Sequence, residues 1–242
     1  IQCSVAPLAR NAAALLHGSL WPVLHLGRDC AYPSGHGGRG ANNMQITGDW
    51  ISAKATQSVC RMLTAAGHQA YFVGGCVRDS VLGVPVGDID IATDALPERV
   101  AALAEEAGLK HVPTGIAHGT VTVIAHGAPH EVTTFRKDVE TDGRRAVVAY
   151  TDDLREDARR RDFTMNALYA LPDGKLLDPL GGLADLRARC VRFIEDPAQR
   201  IREDYLRILR FFRFHAWYGD PAAGPDPDGL AAAADLAEGL DG

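Results

Sequence analysis

Asp88-Ile89-Asp90 sets two carboxylates two residues apart, and shortly upstream Gly74-Gly75-Cys76-Val77-Arg78-Asp79 follows the apolar run Tyr71-Phe72-Val73. On a strand, side chains two apart point to the same face, so both acids can serve one site. Hard oxygen ligands of this kind suit Mg²⁺, which binds through one or two carboxylates, keeps several waters and completes its shell with substrate phosphates. Glycines without a Cβ let backbone N–H groups approach a triphosphate. A helix opening at Cys76 aims its positive end there, and Arg78 adds a charge. A tight turn beside a solvated acid pair is the plainer reading. The close coupling of the two features favours nucleotide chemistry.

Further along the chain the motifs continue with Glu131-Val132-Thr133-Thr134-Phe135-Arg136, Arg160-Arg161-Asp162-Phe163-Thr164-Met165-Asn166-Ala167, Asp178-Pro179-Leu180-Gly181-Gly182-Leu183 and Glu203-Asp204-Tyr205-Leu206-Arg207. Several ordered motifs are far more specific than any one of them. From Tyr71 to Trp217 the chain resembles the family of class II tRNA nucleotidyltransferases and bacterial poly(A) polymerases, and is more similar to the CCA-adding members. The resemblance implies a polymerase-beta-like nucleotidyltransferase head in an α+β fold, followed by a helical, nucleotide-reading neck. It also implies that Arg161 contacts the nucleotide and that Asp162 and Asn166 shape the ribose and phosphate pocket. The implied activity is template-independent addition of C and A from CTP and ATP to the 3′ end of tRNA, with pyrophosphate leaving. Poly(A) synthesis is the alternative enzyme, and an inactive RNA- or nucleotide-binding fragment the alternative of another class.

One helix expected over Arg200 to Trp217 would make Asp204 and Arg207 surface neighbours, with Arg210 and Arg213 continuing their ridge. Ile201, Leu206, Leu209, Phe212, Phe214 and Trp217 would bury much of the remaining circumference. An exposed intrahelical ion pair contributes only about 0.2–0.5 kcal/mol. The alternative use is base reading. Cytosine and adenine each present an amino donor beside a ring-nitrogen acceptor, which a carboxylate and a guanidinium together complement. Uracil and guanine present the reverse and would leave buried groups mismatched. Asp204 and Arg207 would thus read the base, while Arg210 and Arg213 bind phosphate or brace the pair. In the same reading Asp88 and Asp90 hold two Mg²⁺ ions, and Gly75 and Arg78 position phosphates.

The elements that must position these groups are legible from periodicity. Apolar positions predict a helix over Trp50 to Ala66 ending at Gly67, a strand at Tyr71 to Val73, a helix at Val77 to Leu82 and the carboxylate strand at Asp88 to Ala92. Asp94 or Thr93 would cap a helix through Pro97 to Ala107. Strands follow at Lys110 to Pro113, Thr120 to Ala125 and Glu131 to Phe135, with a turn at His126-Gly127. The result is a small mixed sheet backed by helices. Glu131 is a candidate third carboxylate or an edge-strand acid facing solvent. Lys137 to Leu154 has no lasting period and reads as a mobile loop near the site or an ordinary surface loop. The three arginines Arg159-Arg160-Arg161 cannot share one helical face, and Phe163, Met165, Ala167 and Leu168 anchor them to a core.

The 242 residues can bury one substantial core or two small ones. A net charge of -6 argues against a protein that coats nucleic acid over its whole surface, yet Arg155 to Arg213 holds 13 of the 25 basic residues, so a nucleic-acid face would lie there. Cys3, Cys30, Cys60, Cys76 and Cys190 form no Cys-x-x-Cys pair, which suggests neither disulfides nor zinc and fits a reducing cytoplasm. No stretch is apolar for the roughly 20 residues a membrane span needs. Residues 1–43 read as a loosely ordered extension, with Met44 as a candidate natural start. Residues 44–178 read as the head, and residues 179–242 as the opening of a truncated neck whose body and tail are largely absent. Oligomeric state is not legible.

Overall fold

The computed structural model describes residues 44–115, 119–141 and 146–241. The expected 1–43 extension lies outside the described residues. The single helix expected over Trp50 to Ala66 is instead two, α1 (Asp49–Ser52) and α2 (Lys54–Ala65), separated at Ala53, whose ψ of 134° is extended. Trp50 is the reason visible in the packing. Its ring meets Phe72 edge-on at 4.8 Å and its Nε1 donates to Ser80 Oγ at 3.1 Å, which pins α1 apart from the axis of α2.

The next elements are β1 (Tyr71–Val73), α3 (Gly75–Leu82), β2 (Asp90–Thr93), α4 (Pro97–Glu106), β3 (Lys110–Gly115), β4 (Thr120–Ala125) and β5 (Ala128–Thr134). The expected cap of α4 is corrected, because its N-cap is Leu96 with no side-chain bond. Asp94 accepts instead from the Gln69 backbone N–H at 2.8 Å, and Thr93 Oγ1 accepts from Ala95 N at 3.2 Å. Pro97 needs no partner at the first helical position, so the missing cap costs little.

Beyond β5 come β6 (Arg136–Thr141), β7 (Ala146–Tyr150), α5 (Leu154–Arg159), a 3-10 turn at Thr164–Asn166, β8 (Tyr169–Ala170) and β9 (Leu176–Leu177). The segment read as a loop over Lys137 to Leu154 is therefore largely an antiparallel ribbon, with Arg136 opposite Tyr150. Its second strand, Ala146-Val147-Val148-Ala149-Tyr150, has strong strand propensity, but the first is polar apart from Val139, which conceals the period.

Seven strands form one mixed sheet in the order β3-β4-β5-β2-β1-β8-β9. Only β2 and β5 run parallel, and their register sets Asp90 opposite Glu131. Because β5 lies between β4 and β2, Glu131 is not on an edge strand. Helices α6 (Gly182–Arg187), α7 (Pro197–Glu203), α8 (Leu206–Tyr218) and α9 (Pro227–Asp235) complete the chain. Helix α6 lies so close to the 3-10 turn that a Cβ on Gly182 would come within 2.0 Å of the Thr164 carbonyl oxygen.

The one helix expected over Arg200 to Trp217 is broken at Asp204, where φ is -158° and ψ 104°. The break redirects α8 so that Ile208, Phe211 and Phe214 are buried, with Phe214 and Phe211 joining Phe163 and Phe193 at centroid distances of 5.1 and 5.2 Å. Leu206, Leu209, Phe212 and Trp217 stay exposed, contrary to the expected buried face. Of the expected face only Ile201 and Phe214 are buried, because both sides of α8 carry large apolar residues and one helix can turn only one of them to the core.

Candidate active site

The glycine turn is built as the sequence suggests. Gly74 holds φ 70° and ψ -123°, a conformation side chains rarely adopt, and serves as N-cap of α3. A Cβ on Gly74 would sit 3.8 Å from Arg161 Nη1, and one on Gly75 would sit 3.7 Å from Arg78 Nη2. Two guanidinium groups therefore flank a bare backbone turn at a helix N-terminus. Anions are favoured there. Cys76 is buried inside the motif, and burial pushes its thiol up to about 12, so it is a neutral filler as expected.

Asp90 opens β2, but Asp88 lies in the bend just before it, so the two acids do not share one continuous strand as expected. Four irregular residues after Pro85 bring the chain into β2, and pairing with β5 begins only at Asp90. Burial pushes the Asp90 carboxyl up to about 6, and the charges of Glu131 and Asp88 add to this while Arg161 opposes it. Asp88, Asp90, Glu131 and Arg161 thus form one electrostatic neighbourhood. Among the described residues, however, no three metal-ligating side chains close into a cluster.

Arg161 is the most tightly held cation of the site. Its Nε donates to Tyr169 Oη at 3.0 Å and its Nη2 to Asp157 Oδ2 at 2.9 Å, while Tyr169 Oη donates to the same carboxylate oxygen at 2.7 Å. Asp157 Oδ1 accepts from Arg160 Nε at 3.0 Å and from the Arg136 backbone N–H at 3.1 Å. Burial pushes the Asp157 carboxyl up, but Arg161, Arg160 and the Tyr169 hydrogen bond outweigh it and hold the group well below the usual carboxylate range. Burial alone would lower the Arg161 pKa, yet Tyr169 and Asp157 raise it, so the guanidinium stays charged. Arg159 faces outward, 3.5 Å from Glu195.

Arg78 sits within a packed bridge. It donates to Asp79 Oδ1 at 2.9 Å, to Asn166 Oδ1 at 2.8 Å and to Tyr218 Oη at 2.7 Å, and it stacks 4.1 Å from the Tyr218 ring centroid. Asn166 in turn donates to Asp162 Oδ1 at 2.9 Å, and Arg210 donates to Asp162 Oδ2 through Nε at 2.8 Å. The glycine turn is thereby wired to α8. Arg207 pairs with Glu203 at 2.7 Å and donates to the carbonyls of Arg200 and Arg160 at 2.9 and 3.2 Å. Asp204 does not meet Arg207 side by side on a helix as expected. Its Oδ1 accepts from Leu206 N at 3.0 Å across the break. Arg210 and Arg213 line a groove of about 330 Å³ with Leu206 and Leu209, and Arg213 forms no ion pair among the described residues.

Sequence reasoning missed Asp157, Tyr169, Glu203 and Tyr218. Asp157 had a usable signal, since it precedes Arg160 and Arg161 by three and four residues, the spacing of helical neighbours. Glu203 relates to Arg200 and Arg207 in the same way. Tyr169 and Tyr218 had none, because only tertiary packing brings them to the arginines.

The mixed sheet, the glycine turn at its helix and the acid at the start of the neighbouring strand define a nucleotidyltransferase head. A family model described as "Poly A polymerase head domain" matches residues 70–192. The chain belongs to that family, alongside the class II CCA-adding enzymes that it matches in sequence. It is 45% identical over 168 residues to the CCA-adding enzyme of Bacillus mycoides (strain KBAB4), a match covering 69% of this chain and 41% of that protein. To the mitochondrial CCA tRNA nucleotidyltransferase 1 of Homo sapiens it is 42% identical over 193 residues, covering 79% of this chain and 44% of the relative. A crystal structure of the Bacillus stearothermophilus CCA-adding enzyme in complex with CTP superposes with a TM-score of 0.64 at 41% identity, covering 74% of this chain and 42% of that one. The chain thus spans less than half the length of these relatives.

Membership of this family implies use of a divalent metal. The donor set fits one: hard carboxylate oxygens on Asp88 and Asp90, with Asp90 resisting ionisation because it is buried and has like charges nearby. Two carboxylates suffice where substrate phosphates supply further ligands. No helix among the described residues is long and apolar enough to cross a membrane.

Proposed function

We propose that this chain adds C and A nucleotides from CTP and ATP to the 3′ end of tRNA without a nucleic-acid template. The observation that carries this reading is the convergence of Arg161 and Arg78 on the Gly74-Gly75 backbone beside Asp90. That arrangement suits a triphosphate whose α-phosphorus is attacked by the tRNA 3′ hydroxyl while pyrophosphate leaves. Asp88 and Asp90 would hold Mg²⁺, with Glu131 a candidate further ligand opposite Asp90. Bound there, the ions would lower the pKa of the attacking hydroxyl and neutralise charge on the triphosphate.

The protein's own groups supply orientation. Gly75 offers backbone to the phosphates, and Arg161 supplies a charge that Asp157 shares with Arg160. Arg78 keeps two N–H groups beyond its three bonds and can reach phosphate while bracing α3 against α8. Asp204 and Arg207 read the base, and Arg210 and Arg213 bind phosphate or brace that pair from the groove beside α8. Residues 44–178 act as the head, and residues 179–242 as the start of a neck. Buried free thiols at Cys60 and Cys76 suit a reducing cytoplasm.

The test is incubation of the protein with tRNA lacking its terminal CCA and each NTP in turn, with Mg²⁺. C incorporation followed by A is expected. Long A tracts would make the chain a poly(A) polymerase, and nucleotide binding without incorporation would make it a binding fragment.

A further inference from the structure

Asp157 and Tyr169 are both fully buried, and with Arg161 they close a triangle of three hydrogen bonds, 2.7, 2.9 and 3.0 Å. The Tyr169 ring fills space in the core beside Val73, Ala92 and Phe135, but its hydroxyl is not needed for that. A phenyl ring would occupy the Tyr169 position as well, so the hydroxyl is present for its bonds, one donated to Asp157 and one accepted from Arg161 Nε. The two residues come from different elements, α5 and β8. Together they fix the plane of the guanidinium from two directions. The remaining edge of that plane is Nη1, and Nη1 is the atom that faces Gly74.

The charge distribution points the same way. Asp157 carries one negative charge and touches two guanidinium groups, Arg160 at 3.0 Å and Arg161 at 2.9 Å. Asp157 alone cannot balance both guanidinium groups, so Arg161 keeps positive charge beside the turn, within electrostatic reach of Asp90. A flexible arginine would lose much of its side-chain entropy on gripping a phosphate, whereas one already locked loses little.

We propose that Asp157 and Tyr169 are positioning residues that hold the Arg161 guanidinium in place against the Gly74-Gly75 turn, ready for a nucleoside triphosphate. This rests on the reading of Arg161 as a triphosphate contact. The Arg136 backbone N–H on Asp157 ties the root of the β6–β7 ribbon to the same carboxylate. The triangle therefore also sets where that ribbon leaves the sheet.

The test is a double-mutant cycle read by calorimetric CTP binding with Mg²⁺, using Tyr169→Phe, Arg161→Ala and the pair. Tyr169→Phe keeps the ring and removes only the hydroxyl. It should weaken CTP binding by about tenfold or more, in line with loss of one hydrogen bond to a charged group. Arg161→Ala should weaken it at least as much, and adding Tyr169→Phe to Arg161→Ala should change nothing further. A residue that merely supports the fold would lower affinity in both backgrounds. Unaltered affinity in Tyr169→Phe beside a weakened Arg161→Ala, or additive losses, would overturn the positioning pair alone. Unaltered affinity in Arg161→Ala would overturn the triphosphate contact and the pair with it. Because the readout is binding, the result stands apart from whether the chain extends tRNA.

Discussion

Asp90 is held where its own chemistry disfavours it. Its carboxyl is pushed up to about 6 by burial and by Glu131 and Asp88, so between about pH 4 and 6 the metal-free folded protein keeps a proton that the unfolded chain releases. Stability without metal therefore falls as pH rises through that window and levels above it. Asp90→Asn should abolish incorporation yet stabilise the metal-free protein at pH 8, by about 1–2 kcal/mol after allowance for partial exposure. Urea melts in EDTA at pH 5 and pH 8 would read this, and an Asp90→Asn variant less stable than the parent at pH 8 would contradict it. Asp88→Ala should likewise end incorporation with the fold intact. Arg78 behaves differently. Its removal strands a buried Asn166 oxygen and a half-buried Tyr218 hydroxyl, so Arg78→Ala should cost about 1–3 kcal/mol of stability as well as weakening CTP and ATP alike. Loss confined to one nucleotide would give Arg78 another role.

Among the elements, the break between α7 and α8 matters most, because Asp204 there has two separable duties. Its side chain accepts from Leu206 N, the first N–H of α8, and its carboxylate is assigned to the base. Asp204→Ser keeps an accepting oxygen and removes the charge, so it should leave stability within about 0.5 kcal/mol while discrimination against UTP and GTP falls roughly tenfold or more. Single-nucleotide incorporation with all four NTPs would measure this; unchanged C and A preference would reduce the break to structural support. The strands of the sheet were legible because alternation at Thr120 to Ala125 and the turn at His126-Gly127 are local signals. The α7–α8 break was not, since no glycine or proline marks it and only packing of Phe211 and Phe214 on Phe163 and Phe193 demands it. The β6–β7 ribbon escaped for a related reason, having one polar strand and no period to follow.

For the molecule as a whole, the ordered motifs made the head and its glycine turn readable, because each is a contiguous string whose residues act where they stand. The wiring between them was not readable. Tyr218 reaches Arg78 across 140 positions, and Asp162 reaches Arg210 across 48, contacts that no local pattern announces. These long-range bonds make the glycine turn, the arginine run and α8 one unit, so in the proposed function phosphate binding and base selection belong to a single assembled site. The decisive experiment supplies tRNA that lacks its terminal CCA, with Mg²⁺ and each NTP separately and together, and sequences the extended ends. Two C residues and then one A are expected, with U and G refused. Extension by A alone into long tracts, or no extension by a protein that still binds CTP, would contradict that function.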